Sequence, residues 1–180
     1  MKKVIFILIL ISMLFAVSSA MAYKRGDLEF TLGGGGSSDE EFEGTVANIQ
    51  AGLGCFMTQN LEGTYRQEIS FTNKSESESD GDNQSGRDRW NGSTRLSFDY
   101  HFDLGAWYPY LGGNIGYVYG DTVKEQFIAG PEAGVKFFVN DTTFINAGIE
   151  YQFLFKDSKE ANDNFDKGRF IYILGIGFKF

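Results

Sequence analysis

Gly168-Arg169-Phe170-Ile171-Tyr172-Ile173-Leu174-Gly175-Ile176-Gly177-Phe178-Lys179-Phe180 closes the chain and alternates without a break. Phe170, Tyr172, Leu174, Ile176, Phe178 and Phe180 fall on one side of an extended segment, and Arg169, Ile171, Ile173, Gly175, Gly177 and Lys179 on the other. Successive side chains of a strand point to opposite faces, so this is a strand with a continuous apolar face. Termini fray in water unless a sheet ties them down. A chain ending on such a strand is expected to end inside a closed sheet.

The other end of the chain indicates where that sheet sits. Lys2 and Lys3 precede an apolar run over 4–17, broken by Ser12, and the small residues Ser18-Ser19-Ala20-Met21-Ala22 follow. Charged, apolar and small segments in that order predict a secretory signal, 1–22, cleaved after Ala22. The run is shorter than the roughly 20 residues a spanning helix needs. Cleavage would leave one domain, 23–180. Removing Lys2 and Lys3 from the 16 basic residues leaves 14 against 24 acidic ones. That balance argues against nucleic acid as a partner. Cys55 is the single cysteine, so no internal disulfide staples the fold, and a buried small hydrophobe is its expected role. Beyond the signal no apolar run is long enough for a helical span, so a membrane form has to be a closed barrel.

Alternation of the terminal kind recurs upstream, and eight strands are predicted over 27–35, 41–57, 61–72, 93–103, 106–120, 126–139, 143–155 and 168–180. Thr58-Gln59-Asn60, Leu104-Gly105 and Asn140-Asp141-Thr142 read as tight turns. The remaining connections, 36–40, 73–92, 121–125 and 156–167, are mostly longer and rich in Ser, Asp, Asn and Glu. Short turns on one rim and longer polar loops on the other are the habit of outer-membrane barrels. Pro131 falls inside the sixth strand, where its missing N–H interrupts a ladder, and a bulge at Gly130-Pro131 is expected.

A soluble eight-stranded barrel would carry the same alternation turned inside out. The apolar face excludes Asp, Glu, Lys and Arg in all eight strands, as either a lipid-facing surface or a soluble core requires. Glycine decides between them. Gly52, Gly54, Gly112, Gly116, Gly130, Gly134, Gly148, Gly175 and Gly177 lie on the polar face, and small residues belong on the crowded inside of a narrow barrel. Aromatics also gather at the strand ends of the apolar face, among them Phe71, Tyr117, Phe127, Phe155 and Phe170 near one rim and Phe102, Trp107, Phe178 and Phe180 near the other. Two such girdles mark the membrane interfaces. The fold expected is all-β, an eight-stranded antiparallel up-and-down transmembrane barrel.

With these features the segment 23–180 resembles the small outer-membrane barrel family of the OmpA/OmpX type. Gly116-Tyr117-Val118-Tyr119-Gly120, Ala133-Gly134-Val135-Lys136-Phe137-Phe138 and Gly148-Ile149-Glu150-Tyr151-Gln152-Phe153 are similar to its generic barrel segments. The resemblance implies an outer membrane of Gram-negative type, with lipid and lipopolysaccharide as surroundings. It also implies that Tyr172, Leu174, Ile176, Phe178 and Phe180 are the signal read by the barrel-assembly machinery. It is silent about activity, because that family carries anchors, adhesins, resistance factors and enzymes on one barrel.

The inward face carries Glu29, Glu62, Arg66, Glu68, Arg95, Asp99, His101, Asp103, Glu132, Lys136, Glu150, Arg169 and Lys179. Of these, Glu62, Arg66, Glu68, Arg95, Asp99, Glu132, Lys136 and Glu150 lie in strand interiors and are expected to pair across the lumen, either as a plug or as the gate of a narrow ion path. Ser97, Asp99, His101 and Asp103 share a face and suggest a nucleophilic triad of the kind a lipid A-modifying enzyme needs. Same-face neighbours stand about 6.5 Å apart along a strand, too far for Ser97 to meet His101, so catalysis is not expected. Asp80, Asp82 and Asp88 in the loop Ser75-Glu76-Ser77-Glu78-Ser79-Asp80-Gly81-Asp82 and beyond offer hard oxygen ligands, but Ser85 stands where an EF-hand needs glycine. No cofactor or metal motif emerges. Trp90 and Arg87-Asp88-Arg89 offer a weak partner contact, and no outward polar patch demands a second subunit, so a monomer is expected. A non-enzymatic barrel of structural or surface-interaction role is the leading expectation, ahead of a channel and of a soluble ligand-binding barrel. N-terminal sequencing of the exported protein is expected to begin at Tyr23; a start at Met1 would mean that the apolar run is retained.

Overall fold

The computed structural model describes residues 23–38, 44–74, 89–121, 123, 125–155 and 168–180. Eight strands follow one another round a closed barrel: β1 (Leu28–Ser38), β2 (Gly44–Phe56), β3 (Leu61–Lys74), β4 (Arg89–His101), β5 (Trp107–Gly120), β6 (Gln126–Phe138), β7 (Thr143–Phe155) and β8 (Arg169–Lys179). Every strand pairs antiparallel with its neighbour in the chain, and β8 returns to β1. The signal segment and the acidic loop with Asp80, Asp82, Arg87 and Asp88 lie outside the described residues.

The outside of the barrel is apolar. Leu32, Ile49, Leu53, Leu96, Phe98, Leu111, Ile115, Ile145, Leu174 and Ile176 are all exposed, and Tyr172 is 77 % exposed. Glu29, Glu62, Arg66, Arg95, Asp99, His101, Glu132, Lys136 and Glu150 are buried on the opposite parity. Cys55 takes the outward parity of Leu53 and stands exposed and unbridged, not buried as expected.

Side-chain oxygens shape the short turns. Thr58 Oγ1 accepts from the Asn60 and Leu61 amides at 3.2 and 2.9 Å, and Asn140 Oδ1 accepts from those of Thr142 and Thr143 at 3.0 and 2.8 Å. Gly105 adopts φ +80° in the third turn, a conformation that favours glycine.

Three boundary expectations change. β4 starts at Arg89, because Arg89 and Trp90 continue the β3 register opposite Thr72 and Phe71; the polar run Asn91-Gly92-Ser93 has the composition of a turn but is satisfied by the ladder. Trp90 is therefore a wall residue, its ring 6.2 Å from that of Tyr119. Asp103 lies past the end of β4 and is exposed, its carboxylate accepting the Gly105 amide at 3.0 Å. No bulge forms at Pro131: the β6–β7 register runs from Ala129↔Phe153 to Glu132↔Glu150 without a slip. The missing proline donor opens the ladder locally instead, with Pro131 facing outward.

The inner face tolerates little added volume. A Cβ on Gly116 would stand 2.6 Å from Arg95 Cγ and 2.5 Å from the Thr94 carbonyl oxygen. Overpacking of this kind costs about 1–3 kcal/mol. Gly116→Val is expected to lower the urea midpoint of the bilayer-refolded barrel accordingly, whereas Ile115→Val, on the outer face, is expected to leave it nearly unchanged.

Candidate functional site

Among the described residues ionisable side chains converge in the lumen, which is built in three layers. Nearest the short-turn rim is an aromatic seal. Tyr23, which precedes β1, turns back into the barrel mouth and stacks on Phe56 with ring centroids 3.7 Å apart and planes 10° from parallel. Tyr108 and Phe138 meet the Tyr23 ring edge-on at 5.0 and 5.7 Å, and Phe144 lies 5.2 Å from Phe138. All five rings are buried. Such contacts add to the area they remove from water.

The Lys136 ammonium lies over this seal, 5.1 Å from the centre of the Phe144 ring and 5.4 Å from that of Phe56, within the range where a cation is attracted to a ring face. It also donates to Glu29 and, at 2.8 Å, to Glu62 Oε2. Glu62 Oε2 also faces His101 Nε2 at 2.9 Å, and the Tyr23 hydroxyl donates to Glu29. Burial first, and then the Glu29 charge, push the Tyr23 phenol above its ordinary range, so its proton stays in place for that bond. At the outer edge of the mouth Lys179 Nζ pairs with Asp27 Oδ2 at 2.9 Å and lies 4.7 Å above the Tyr23 ring.

In the middle layer Arg66 addresses two carboxylates. Its Nη1 donates to Glu132 Oε2 at 2.9 Å while its Nη2 is 2.7 Å from Glu132 Oε1 and 3.2 Å from Asp99 Oδ2. Asn114 Nδ2 donates to Glu132 Oε2 at 2.6 Å. In the upper layer Arg95, 0 % exposed, places Nη1 2.6 Å from Glu150 Oε2 and Nη2 2.6 Å from Glu68 Oε2. Gln152 Nε2 donates to Glu150 Oε1 at 2.6 Å and its Oε1 accepts from Arg169 Nε at 2.9 Å. Each central cation is thus shared by two acids drawn from different strands, and the pattern repeats in all three layers.

The eight sequence-selected lumen residues therefore meet as three groups: Lys136 with Glu62, Arg66 with Asp99 and Glu132, and Arg95 with Glu68 and Glu150. No triad forms on β4, because His101 turns to Glu62 and Ser97 Oγ has no hydrogen-bond partner among the described residues. Tyr172, Leu174, Ile176, Phe178 and Phe180 all project outward as one exposed row. The aromatic seal was not anticipated from the sequence, although Phe56, Tyr108, Phe138 and Phe144 each sit on the inward parity beside a short turn; Tyr23 lies outside any alternation, so no pattern points to it.

An apolar belt outside and charges paired inside is a soluble protein inverted. Solved structures share this architecture. The outer membrane protein OprG from Pseudomonas aeruginosa aligns over 90 % of this chain and 99 % of its own, with 13 % identity and a TM-score of 0.55. The chain has the fold of the small outer-membrane barrels. The N-terminal barrel domain of Pseudomonas aeruginosa OprF aligns over 88 % of this chain and 100 % of its own at 18 % identity and a TM-score of 0.52. The attachment invasion locus protein Ail of Yersinia pestis, in complex with the heparin analogue sucrose octasulfate, covers 87 % of this chain and 99 % of its own at 13 % identity and a TM-score of 0.51. No family model and no curated protein matches the sequence. Together with the belt, the fold is that of the integral outer-membrane barrels, with the short turns on one rim and the longer connections on the other.

Removing one partner of a buried ion pair typically costs about 3–5 kcal/mol, because the other charge is left unpaired. Arg95→Leu is expected to lose that much in a refolding titration. Arg95→Leu combined with Glu68→Gln and Glu150→Gln is expected to recover a substantial part of it.

Proposed function

We propose that this barrel acts without catalysis, as an envelope-structural or surface-interaction protein that presents its longer loops above a closed lumen. The observation that carries this reading is the filled interior: among the described residues, three ion-pair layers are stacked on a seal of five rings. An eight-stranded wall encloses only enough room for side chains, and among the described residues Ser97 Oγ has no hydrogen-bond partner while His101 turns to Glu62. The outward row from Tyr172 to Phe180 is the segment we assign to recognition during assembly, and the belt is the surface that meets lipid and lipopolysaccharide.

One observation favours a second reading, a narrow cation path. Lys136, Arg66 and Arg95 face Glu29, Glu62, Asp99, Glu132, Glu68 and Glu150, an excess of acid. Thr64 Oγ1, Ser97 Oγ and Asp99 Oδ1 are buried without a hydrogen-bond partner among the described residues.

Single-channel recording separates the two. The refolded protein, shown by heat-dependent gel mobility to be a folded barrel, is expected to be silent in a planar bilayer, and Arg66→Glu or Arg95→Glu is expected to reduce the folded yield. Unit conductance steps that change size in a folded Arg66→Glu or Arg95→Glu barrel would instead establish the cation path.

A further inference from the structure

Tyr23 sits in the short-turn mouth as a guest of the wall. It precedes β1 and belongs to no strand, yet it is 1 % exposed. Its surroundings come from five strands: Glu29 of β1, Phe56 of β2, Tyr108 of β5, Phe138 and Lys136 of β6, and Lys179 of β8. Phe56 offers a ring face, while Tyr108 and Phe138 offer edges. The Lys179 and Lys136 ammonium groups lie over the Tyr23 ring, 4.7 and 5.7 Å from its centre. Glu29 divides its carboxylate, Oε2 accepting from Lys136 and Oε1 from the Tyr23 hydroxyl. Aromatic walls, cations over the ring and one placed acceptor for the hydroxyl are what recognition of a phenol requires.

These walls hold one another without Tyr23. Phe138 lies 5.4 Å from Tyr108 and 5.2 Å from Phe144, and Phe56 lies 5.1 Å from the His101 ring. Glu29 is fixed in its ladder on both sides, opposite Gly54 and Lys179. An apolar cavity left by removing a ring from such a setting stays open and takes up an aromatic ligand. The pocket is therefore a property of the closed barrel, and Tyr23 is its occupant.

The occupant arrives on a short tether. The Gly26 amide donates to the Phe56 carbonyl at 2.8 Å, the Phe56 amide to the Asp27 carbonyl at 2.9 Å, and Asp27 Oδ2 pairs with Lys179 Nζ at 2.9 Å. The backbone is thus fastened to the wall from Gly26 onward. Ahead of it the bonds lie within the turn: the Asp27 amide donates to the Lys24 carbonyl at 3.1 Å, and the Lys24 amide to Asp27 Oδ2 at 2.9 Å. Lys24 and Arg25 are exposed. Gly26 adopts φ +92°, and a Cβ there would meet nothing within 4 Å, so the tether pivots at a residue with conformational freedom and open space. A ligand on so short a linker acts at an effective concentration of about a millimolar.

We infer that the short-turn mouth is a binding site for a 4-substituted phenol, that Tyr23 fills it as a tethered ligand, and that a swing about Gly26 exchanges Tyr23 for a free phenol. The substituent is para because the Tyr23 side chain leaves its ring there and leads out to the turn. A ring without the hydroxyl would deprive Glu29 Oε1 of the donor it has here, and a buried acceptor left unpaired costs more than the lost contact alone. The site lies on the mouth side of the Arg66 layer, so it stands whether the lumen beyond is closed or conducts.

4-Fluorophenol, followed by its fluorine-19 resonance with the mature barrel refolded in phosphatidylcholine nanodiscs, tests this assignment. The Tyr23→Ala barrel is expected to show a saturable resonance, distinct from bilayer-partitioned 4-fluorophenol and equal to one ligand per barrel. The unsubstituted barrel is expected to bind about tenfold more weakly or less, because the tethered ring competes. Fluorobenzene, which lacks the hydroxyl, is expected to bind Tyr23→Ala about tenfold more weakly than 4-fluorophenol does. Heat-dependent mobility confirms that each variant is folded. Should Tyr23→Ala misfold, Tyr23→Phe keeps the ring and loses only the hydroxyl bond, and it is expected to yield to 4-fluorophenol about tenfold more readily than Tyr23 does. A folded Tyr23→Ala barrel that shows only the bilayer signal overturns the proposal. So does equal affinity for fluorobenzene, or 4-fluorophenol binding that no substitution at Tyr23 changes.

Discussion

Ionised side chains enclosed by only eight strands set the terms for the rest of this structure. Such a lumen leaves little room for the water that would solvate a charge, and an unpaired buried charge is costly. Sharing each cation between two acids meets that constraint on the narrowest footprint, and it draws every strand into the network: Glu29 from β1, Glu62, Arg66 and Glu68 from β3, Arg95 and Asp99 from β4, Glu132 and Lys136 from β6, and Glu150 from β7, with Asn48 of β2 and Asn114 of β5 as hydrogen-bond donors and Arg169 of β8 tied in through Gln152. The wall and its contents are therefore specified together. A register slip of one residue on any strand would turn its charges to lipid.

The same crowding explains the glycines. Five lumen glycines stand across the ladder from large side chains: Gly52 opposite Arg66, Gly112 between Asp99 and Glu132, Gly116 opposite Arg95, Gly134 opposite Tyr110 and Gly54 opposite Glu29. The pairs are complementary in volume. Space given up at one position is filled by an arginine, a carboxylate or a ring at the next, which is how a lumen this narrow reaches the packing density of a core.

Much of this was legible because a strand's period is exact. Parity alone divided lipid-facing from lumen-facing residues, and the acidic and basic lumen positions followed from it. Which acid meets which cation did not follow, since that depends on shear and register, which bring β3, β4 and β6 to one height around Arg66. Three local readings went wrong for physical reasons. Asn91-Gly92, read as the end of a loop, has turn composition, yet ladder bonds override propensity. Pro131 suggested an inserted residue, but an unpaired outward position absorbs a proline without one. Cys55 was weighed as a buried hydrophobe, but in a membrane barrel an apolar side chain is stabilised by facing outward. The aromatic seal escaped because a ring on the inward parity contradicts the simple rule of polar inside and apolar outside.

That seal shows the rule is a rule about solvent, not about sidedness. Near the short-turn mouth the rings bury one another inside the lumen, and there the filling is again aromatic, with Lys136 held by ring faces and two carboxylates together. Toward the opposite rim a cavity beside Ser93 leaves polar groups unpaired, and the wall itself loses the β1–β8 ladder at the same level. The wall is thus less completely paired toward that rim. A barrel that is ring-sealed and laddered all round at one end can support an incompletely paired wall at the other, because its closure and its register are already secured below Gly33 and Gly175.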